Sequence, residues 1–135
     1  MMGLLQNHEN KMGIAFRKSG DLIYLLGKNV NDIASSQYLI QYHGVKNSPA
    51  PYFNLDEEYN MQQLVREVIA EKLVISAHDI SEGGLFINLL ESCMINGLGC
   101  DIEMKDDDMR MDALLFGEAQ GRVIVTVKPK HQAAF

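Results

Sequence analysis

Apolar residues occur in this chain both as short continuous runs and as longer stretches with a helical repeat. The continuous runs at residues 21–26, 73–77 and 123–127 have the length of buried strands and are bounded by turn-forming or polar residues. Residues 12–16 alternate between apolar and small or polar positions, which predicts a short edge strand or lead-in. Clean alternation over residues 99–104 predicts another strand with one face in solvent.

Residues 54–70 carry the clearest helical pattern. Asn54 and Glu57 have the spacing of a capping box, and the stretch that follows repeats apolar residues at i, i+3, i+4 and i+7. The residues predicted to share that face are Met61, Leu64, Val65, Val68 and Ile69.

A second helix is predicted after residues 78–84, ending at Asn96 and Gly97. Its inward positions are predicted to be Leu85, Leu89, Leu90, Cys93 and Met94. Two shorter helices are predicted, one from a cap at Asn31 or Asp32 to Gly44 and one over about residues 107–117. Prolines 49 and 51 make residues 45–53 a surface loop.

This order of elements predicts an α/β (α+β) domain, with a mixed four- to five-stranded sheet and helices packed on it. Residues 73–104 read as a right-handed βαβ unit. A length of 135 residues allows one core, so we assign residues 1–11 to a poorly structured lead-in and 12–135 to a single domain. A helix that begins at Pro129 and stops with the chain suggests truncation at the C-terminus. A domain cut from a larger enzyme should expose apolar residues, and we expect them at residues 12–16 and at Tyr52 and Phe53.

Composition narrows the class of partner. A net charge of −6 without a basic stripe disfavours nucleic acid, while leaving room for a small phosphorylated ligand. No apolar run approaches the roughly 20 residues that span a bilayer, so no membrane partner is expected, and no signal peptide is visible. Cys93 and Cys100 do not form a disulfide framework and read as reduced core residues of a cytoplasmic protein.

The segment of residues 76–85 is the strongest candidate for chemistry. It puts polar residues at the end of a buried strand and two glycines before a helix whose free amides can hold an anion. His78 is either a general base, an anion ligand or a structural histidine bonded to Asp79 or a carbonyl. Ser81 is a candidate helix cap, and Gly83 and Gly84 either admit a ligand or only make a tight turn.

Two later segments are also polar. Glu118, Gln120 and Arg122 surround two glycines just before the last strand, so their side chains converge on a turn or simply follow a helix end. The acidic residues within 101–108 are a solvated loop by preference and a magnesium site only as a minor alternative, so we assign no metal ligand.

Four segments in this order resemble phosphoribosylformylglycinamidine synthase (formylglycinamidine ribonucleotide synthase): residues 20–27, 31–38, 76–85 and 115–122. The resemblance covers about residues 12–127 and is to the C-terminal domain type of the aminoimidazole ribonucleotide synthetase superfamily. Ala119 departs from it, because a serine is common there in the family.

The resemblance implies part of an ATP-dependent ligase that converts formylglycinamide ribonucleotide and glutamine-derived ammonia to the amidine in purine biosynthesis. It implies ATP and Mg²⁺ in the full enzyme and none firmly bound by this chain alone. The implied partners are N-terminal-type domains of the same enzyme and a glutaminase domain or subunit. The residues expected to contact a ligand or a partner domain are His78, Asp79, Ser81, Gly83, Gly84, Glu118 and Gln120.

No catalytic residue is assigned, because the family's nucleotide-binding motifs lie largely in the N-terminal-type domains and are not found in this sequence. Two alternatives stay open. The domain is either a non-catalytic brace of that enzyme or the equivalent domain of a sister enzyme such as aminoimidazole ribonucleotide synthetase or selenophosphate synthetase.

Overall fold

The computed structural model describes residues 7–103 and 109–135. Its strands are β1 (Leu22–Leu26), β2 (Val74–Asp79) and β3 (Val123–Val127), and its helices are α1 (Leu55–Ala70), α2 (Gly84–Met94) and α3 (Met111–Phe116). Shorter turns of helix occur at His8–Asn10, Tyr38–Tyr42 and Pro129–His131. The predicted α/β class, with helices packed on one sheet, is confirmed.

The sheet has the order β1-β3-β2, and both pairs of strands are antiparallel. The predicted mixed sheet of four or five strands is therefore wrong for the described residues, which form three strands. Residues 99–103 form no ladder, and Met104 lies outside the described residues. The predicted βαβ unit over 73–104 is wrong in consequence, because residues 99–103 supply no strand and the strand that pairs with β2 is the antiparallel β3.

The central strand β3 separates two cores. Ile124 faces α2 and packs with Leu85 and Leu89, while Val125 and Val127 face α1 and pack with Val68. This alternation follows from the two-residue repeat of a strand. The two longer helices therefore cover opposite faces of the sheet.

The predicted cap of α1 is confirmed. The Asn54 Oδ1 atom accepts hydrogen bonds from the amides of Asp56 at 3.0 Å and Glu57 at 3.1 Å, which satisfies two donors that the helix itself leaves free. The predicted apolar face is only partly buried, because Val68 is covered while Leu64 remains exposed.

The predicted inner face of α2 is partly wrong. Leu85, Leu89 and Cys93 are buried, but Leu90 and Met94 are exposed. A rotation of about 100° per residue places positions 90 and 94 away from 85 and 89. The sequence pattern misplaced this face because Asn88 and Ser92, which it assigns to solvent, are buried.

The segment before α1 also differs from expectation. The predicted helix over 31–44 is limited to a single π-helical stretch at Tyr38–Tyr42. Asp32 does not cap it, because its carboxylate accepts from the amides of Ala34 and Tyr52 and so ties the surface loop to the turn. The N-cap residue is Gln37, which makes no side-chain capping bond, and the Ser36 Oγ accepts from the Leu39 amide one turn further on.

The expected exposure of apolar surface is confirmed in one place and wrong in another. Tyr52 and Phe53 are exposed, whereas Ala15 and Phe16 are buried. Residues 12–16 form no strand, but Gly13 accepts a backbone hydrogen bond from Ala77 of β2. The segment is therefore a packed lead-in.

Helix α3 is shorter than the predicted 107–117, and residues 104–108 lie outside the described residues, as does part of the acidic stretch. Of the helices in the described ranges, none combines the length and apolarity needed to cross a bilayer.

The two cysteines occupy different environments. Cys93 is buried as predicted, but Cys100 is exposed, so its assignment to the core is wrong. Burial, with a smaller effect of the neighbouring Cys100 thiol, raises the pKa of Cys93 to about 11.

We expect iodoacetamide at pH 8 to alkylate Cys100 and to spare Cys93 in the folded chain. The thiolate is the reactive form, and a pKa of about 11 leaves about one Cys93 thiol in a thousand ionised at that pH. Peptide mass spectrometry measures both sites, with urea-unfolded chain as the control. Equal labelling of the two in the folded chain would show that Cys93 is accessible and ionised.

A second expectation concerns Gly27, which ends β1 with φ of 103°. A Cβ there would overlap the carbonyl oxygen of Gly121, whereas one at Gly20, with φ of 87°, meets no atom of the described residues within 4 Å. Gly20→Ala should lower the free energy of unfolding by about 1 kcal/mol through backbone strain alone. Gly27→Ala should lower it by about 3 kcal/mol, because overlap adds to the strain. Urea unfolding of both variants checks this, and equal losses would contradict the close approach.

Candidate functional site

The antiparallel pairing of β2 and β3 brings the two polar segments of the sequence together. Asp79 at the end of β2 is paired with Val123 at the start of β3, and the Ile80 amide donates to the Arg122 carbonyl at 2.9 Å. Residues 117–122 therefore run beside the turn that joins β2 to α2.

Two glycines shape that turn. Gly83 and Gly84 have φ of 85° and 69°, in the left-handed region that disfavours a side chain. A Cβ on Gly84 would also lie 2.7 Å from the Leu115 carbonyl oxygen and the Phe116 backbone. Gly84 thus lets the start of α2 pack directly on the end of α3.

Three amides of this turn, those of Ser81, Gly83 and Gly84, have acceptors within the protein. The Glu118 Oε1 atom accepts from the amide of Gly83 at 2.8 Å and from the amide of Gln37 at 2.7 Å. The Ser81 amide donates to Asn88 Oδ1 at 3.0 Å, and the Gly84 amide donates to the Ser81 carbonyl. A carboxylate of the chain therefore lies where an external anion was expected.

Ser81 is not the cap of α2. Gly83 is the N-cap residue, and it provides no side-chain hydrogen bond. The Ser81 hydroxyl instead accepts from the Asn88 Nδ2 atom at 3.2 Å.

His78 is held by α2 on both sides of its ring. Its Nδ1 lies 3.2 Å from the Asn88 carbonyl oxygen, and its Nε2 lies 3.1 Å from Asn88 Nδ2. A carbonyl only accepts and an amide NH₂ only donates, so these partners assign the neutral tautomer with the proton on Nδ1. Asn88 Oδ1 is itself fixed by the Ser81 amide, which sets the amide orientation.

Charged and polar neighbours complete this cluster. Glu91 lies 3.4 Å from the His78 Nε2 atom at the rim, and Ser92 lies 3.2 Å from Nδ1 in the interior. His78, Asn88 and Ser92 are all buried. Of the roles considered for His78, this geometry supports the structural one, a histidine bonded to a carbonyl.

Arg122 stabilises the neighbouring turn from inside. It is buried, its Nη2 donates to the Gly117 carbonyl, and its Nη1 lies 3.4 Å from Asn29 Oδ1. Burial lowers the pKa of the Arg122 guanidinium. Ala119 is buried within the same turn.

Asp79 and Gln120 lie elsewhere, on an open groove. Both are exposed and line a cavity of about 990 Å³ between α1 and the adjoining ends of β2 and β3. Arg66 and Gln62 of α1 line its opposite side. Glu58 also lines it, and in the described part of the chain its buried Oε2 atom has no hydrogen-bond partner.

The seven predicted site residues therefore divide into two sets. His78, Ser81, Gly83, Gly84 and Glu118 belong to the hydrogen-bonded turn, and Asp79 and Gln120 belong to the groove. Sequence reasoning missed Asn88 and Gln37. Asn88 does leave a signal, because it is a lone amide within the apolar run of residues 85–90, and a polar residue buried there must be hydrogen-bonded.

Glu118 can be tested by two substitutions of different severity. Glu118→Gln keeps an acceptor oxygen and should lower the free energy of unfolding by about 1 kcal/mol. Glu118→Ala leaves the Gly83 and Gln37 amides without an acceptor and should lower it by about 3 kcal/mol. Urea unfolding measures both, and amide exchange at Gly83 and Gln37 should accelerate only in the alanine variant. Equal effects of the two substitutions would mean that the carboxylate oxygen does not hold these amides.

Comparison with known proteins identifies relatives over nearly the whole chain. A phosphoribosylformylglycinamidine synthase subunit PurL from Moorella thermoacetica is 44% identical over 130 residues, which are 96% of this chain and 18% of the relative. The subunit of the same name from Synechocystis sp. is 40% identical over 136 residues, which are 100% of this chain and 18% of the relative. The chain therefore spans about a fifth of the length of these relatives.

Solved structures show the same fold. Thermotoga maritima PurL complexed with FGAR superposes with a TM-score of 0.76 at 19% identity, covering 94% of this chain and 23% of that one. Thermotoga maritima PurL complexed with ATP gives 0.64 at 17% identity, covering 94% and 20%. The model of the family described as AIR synthase related protein, C-terminal domain, matches residues 18–135. The chain belongs to that family.

Proposed function

We propose that this chain is part of a phosphoribosylformylglycinamidine synthase, the ATP-dependent ligase that converts formylglycinamide ribonucleotide to formylglycinamidine ribonucleotide in purine biosynthesis. The observation that carries the proposal is identity of 44% to a PurL subunit over 96% of the chain. The reaction activates the amide oxygen by phosphoryl transfer, and ammonia then displaces phosphate. A sister enzyme of the superfamily is the less favoured alternative, because the relatives compared above carry the name of the purine synthase.

The proposed function implies partners, cofactors and a cellular location. Other domains of the same polypeptide complete the enzyme, and a glutaminase domain or subunit supplies ammonia. ATP and Mg²⁺ are its cofactors, the nucleotide substrate is the small phosphorylated ligand, and the cytoplasm is its location.

The residues described here do not fit ATP or Mg²⁺ well. The amides of Ser81, Gly83 and Gly84 already have acceptors within the chain. Over residues 7–103 and 109–135, no three His, Cys, Asp or Glu side chains cluster as metal ligands. We therefore assign the binding of ATP and Mg²⁺ to other domains of the complete enzyme.

The two sets of residues support two roles. The hydrogen bonds among His78, Ser81, Asn88 and Glu118 favour a bracing role for the β2–α2 turn. Asp79 and Gln120 are exposed on a groove of about 990 Å³ and remain free to contact a ligand or a partner domain. Bracing is the function that the turn supports best, and ligand contact is assigned to the groove.

We expect the isolated chain to show no synthase activity with formylglycinamide ribonucleotide, ATP, Mg²⁺ and ammonium chloride. The polypeptide that contains this chain together with the remaining domains should be active under the same conditions. ADP release that depends on ammonia, measured beside amidine product by mass spectrometry, reports both.

Two results would count against the proposal. Amidine formation by the isolated chain would overturn the bracing role, and inactivity of the complete polypeptide would overturn the assignment to this ligase. An Asp79→Asn/Gln120→Ala variant of the complete polypeptide tests the groove. Its matched control is Glu82→Gln. Glu82 is exposed on the β2–α2 turn and does not line the groove.

A further inference from the structure

Helix α2 presents apolar side chains to solvent as well as to the core. Phe86, Leu90 and Met94 are spaced four residues apart and so share its outer face. Their side chains are 43%, 42% and 76% exposed, and Ile95 beside them is 58% exposed. The only acidic or basic side chain of the helix, Glu91, lies towards His78 at 3.4 Å.

Aromatic rings extend this apolar face beyond α2. The Phe86 ring meets Phe116 at 5.8 Å between centroids, and Phe116 stacks on Tyr38 at 4.8 Å. Tyr38 in turn stacks on Tyr42 at 5.3 Å, and Tyr42 is exposed. We call this continuous set, from Met94 to Tyr42, the α2 row. Its members are Tyr38, Tyr42, Phe86, Leu90, Met94, Ile95 and Phe116.

Helix α2 has large apolar side chains on its outer face as well as on the face that packs on the sheet, and an apolar helix face is normally buried against another element. A contiguous apolar patch rimmed by polar residues marks an interaction surface. Single exposed apolar residues need no such explanation, but the α2 row groups five exposed apolar residues with the half-buried rings of Tyr38 and Phe116.

We propose that the α2 row is an interface within one polypeptide. An apolar, uncharged surface of another part of that polypeptide covers it. The inference rests on the proposed function, because the relatives are more than five times as long as the matched segment. A covalently attached domain meets the row at a high effective concentration. A second copy of this chain would instead bring together two molecules of net charge −6, which repel each other.

Methionine oxidation tests the proposal directly. Dilute hydrogen peroxide oxidises exposed thioethers, and peptide mass spectrometry measures the rate at Met94 in the isolated chain and in the complete polypeptide. Met94 should be oxidised on the order of tenfold more slowly in the complete polypeptide, because burial blocks access. A matching rate in the two overturns the proposal. Protection in the isolated chain that grows with its concentration also overturns it, in favour of a second copy.

A second measurement needs only the complete polypeptide. The double variant Leu90→Gln/Met94→Gln should lower the thermal unfolding midpoint of the complete polypeptide and accelerate amide exchange in residues 84–95. Leu64→Gln is the matched control, because Leu64 has nearly the same exposure as Leu90 but lies on α1, across the sheet. An unchanged midpoint and unchanged exchange in the double variant contradict the proposal.

Activity separates this inference from the proposed function. Protection of Met94 in a complete polypeptide that has no ligase activity supports the interface and removes the assignment to the synthase. Ligase activity without protection of Met94 keeps the synthase and removes the interface.

Discussion

One carboxylate joins three distant parts of this chain. Glu118 accepts from the Gly83 amide at the start of α2 and from the Gln37 amide before the π-helical stretch. These bonds span 35 and 81 residues of sequence. Because the acceptor is ionised, each bond is stronger than one between neutral groups. The negative charge also lies at the positive end of the α2 dipole, which adds to the attraction.

The position of α2 depends on that contact and on the buried amide beneath it. Asn88 accepts from the Ser81 amide and donates towards His78, so the first two turns of the helix are tied to the end of β2. Rotation of α2 about its axis would break both bonds. The same constraint that buries Leu85 and Leu89 therefore fixes Leu90 and Met94 on the outside, and the polar network determines which apolar residues face solvent.

Local patterns predicted the parts of the fold that local forces decide. The repeat of residues 54–70 and the Asn54 cap gave α1, and the apolar runs gave all three strands. The predicted strand directions were wrong, because an apolar run does not indicate whether a strand pairs in parallel or antiparallel. The strand predicted from alternation is not formed at residues 99–103, because alternating side chains do not make a ladder without a pairing strand. The orientation of α2 was predicted incorrectly because its polar residues Asn88 and Ser92 are buried, while Leu90 and Met94 face solvent.

The candidate site could likewise be predicted from the sequence only in part. The position of residues 76–85 at a strand end, and their closeness to residues 115–122, follow from motifs visible in the sequence. The partner of each amide does not, because a hydrogen bond between Glu118 and Gln37 leaves no periodic trace. Asn88 was readable in principle as a lone amide in an apolar helix.

The filled turn also bears on how such a domain divides its work with neighbours. A glycine-rich turn before a helix suits a phosphate and a carboxylate for the same reason, which is a set of convergent amides at a positive helix end. With Glu118 in place, a phosphate entering the turn would have to displace two charge-assisted bonds and would leave the carboxylate beside it. Like charges at that distance repel strongly in a partly buried site. These contacts support the bracing role that we propose for the turn. Contact with a ligand or another domain is proposed for the exposed groove of Asp79 and Gln120 and for the α2 row.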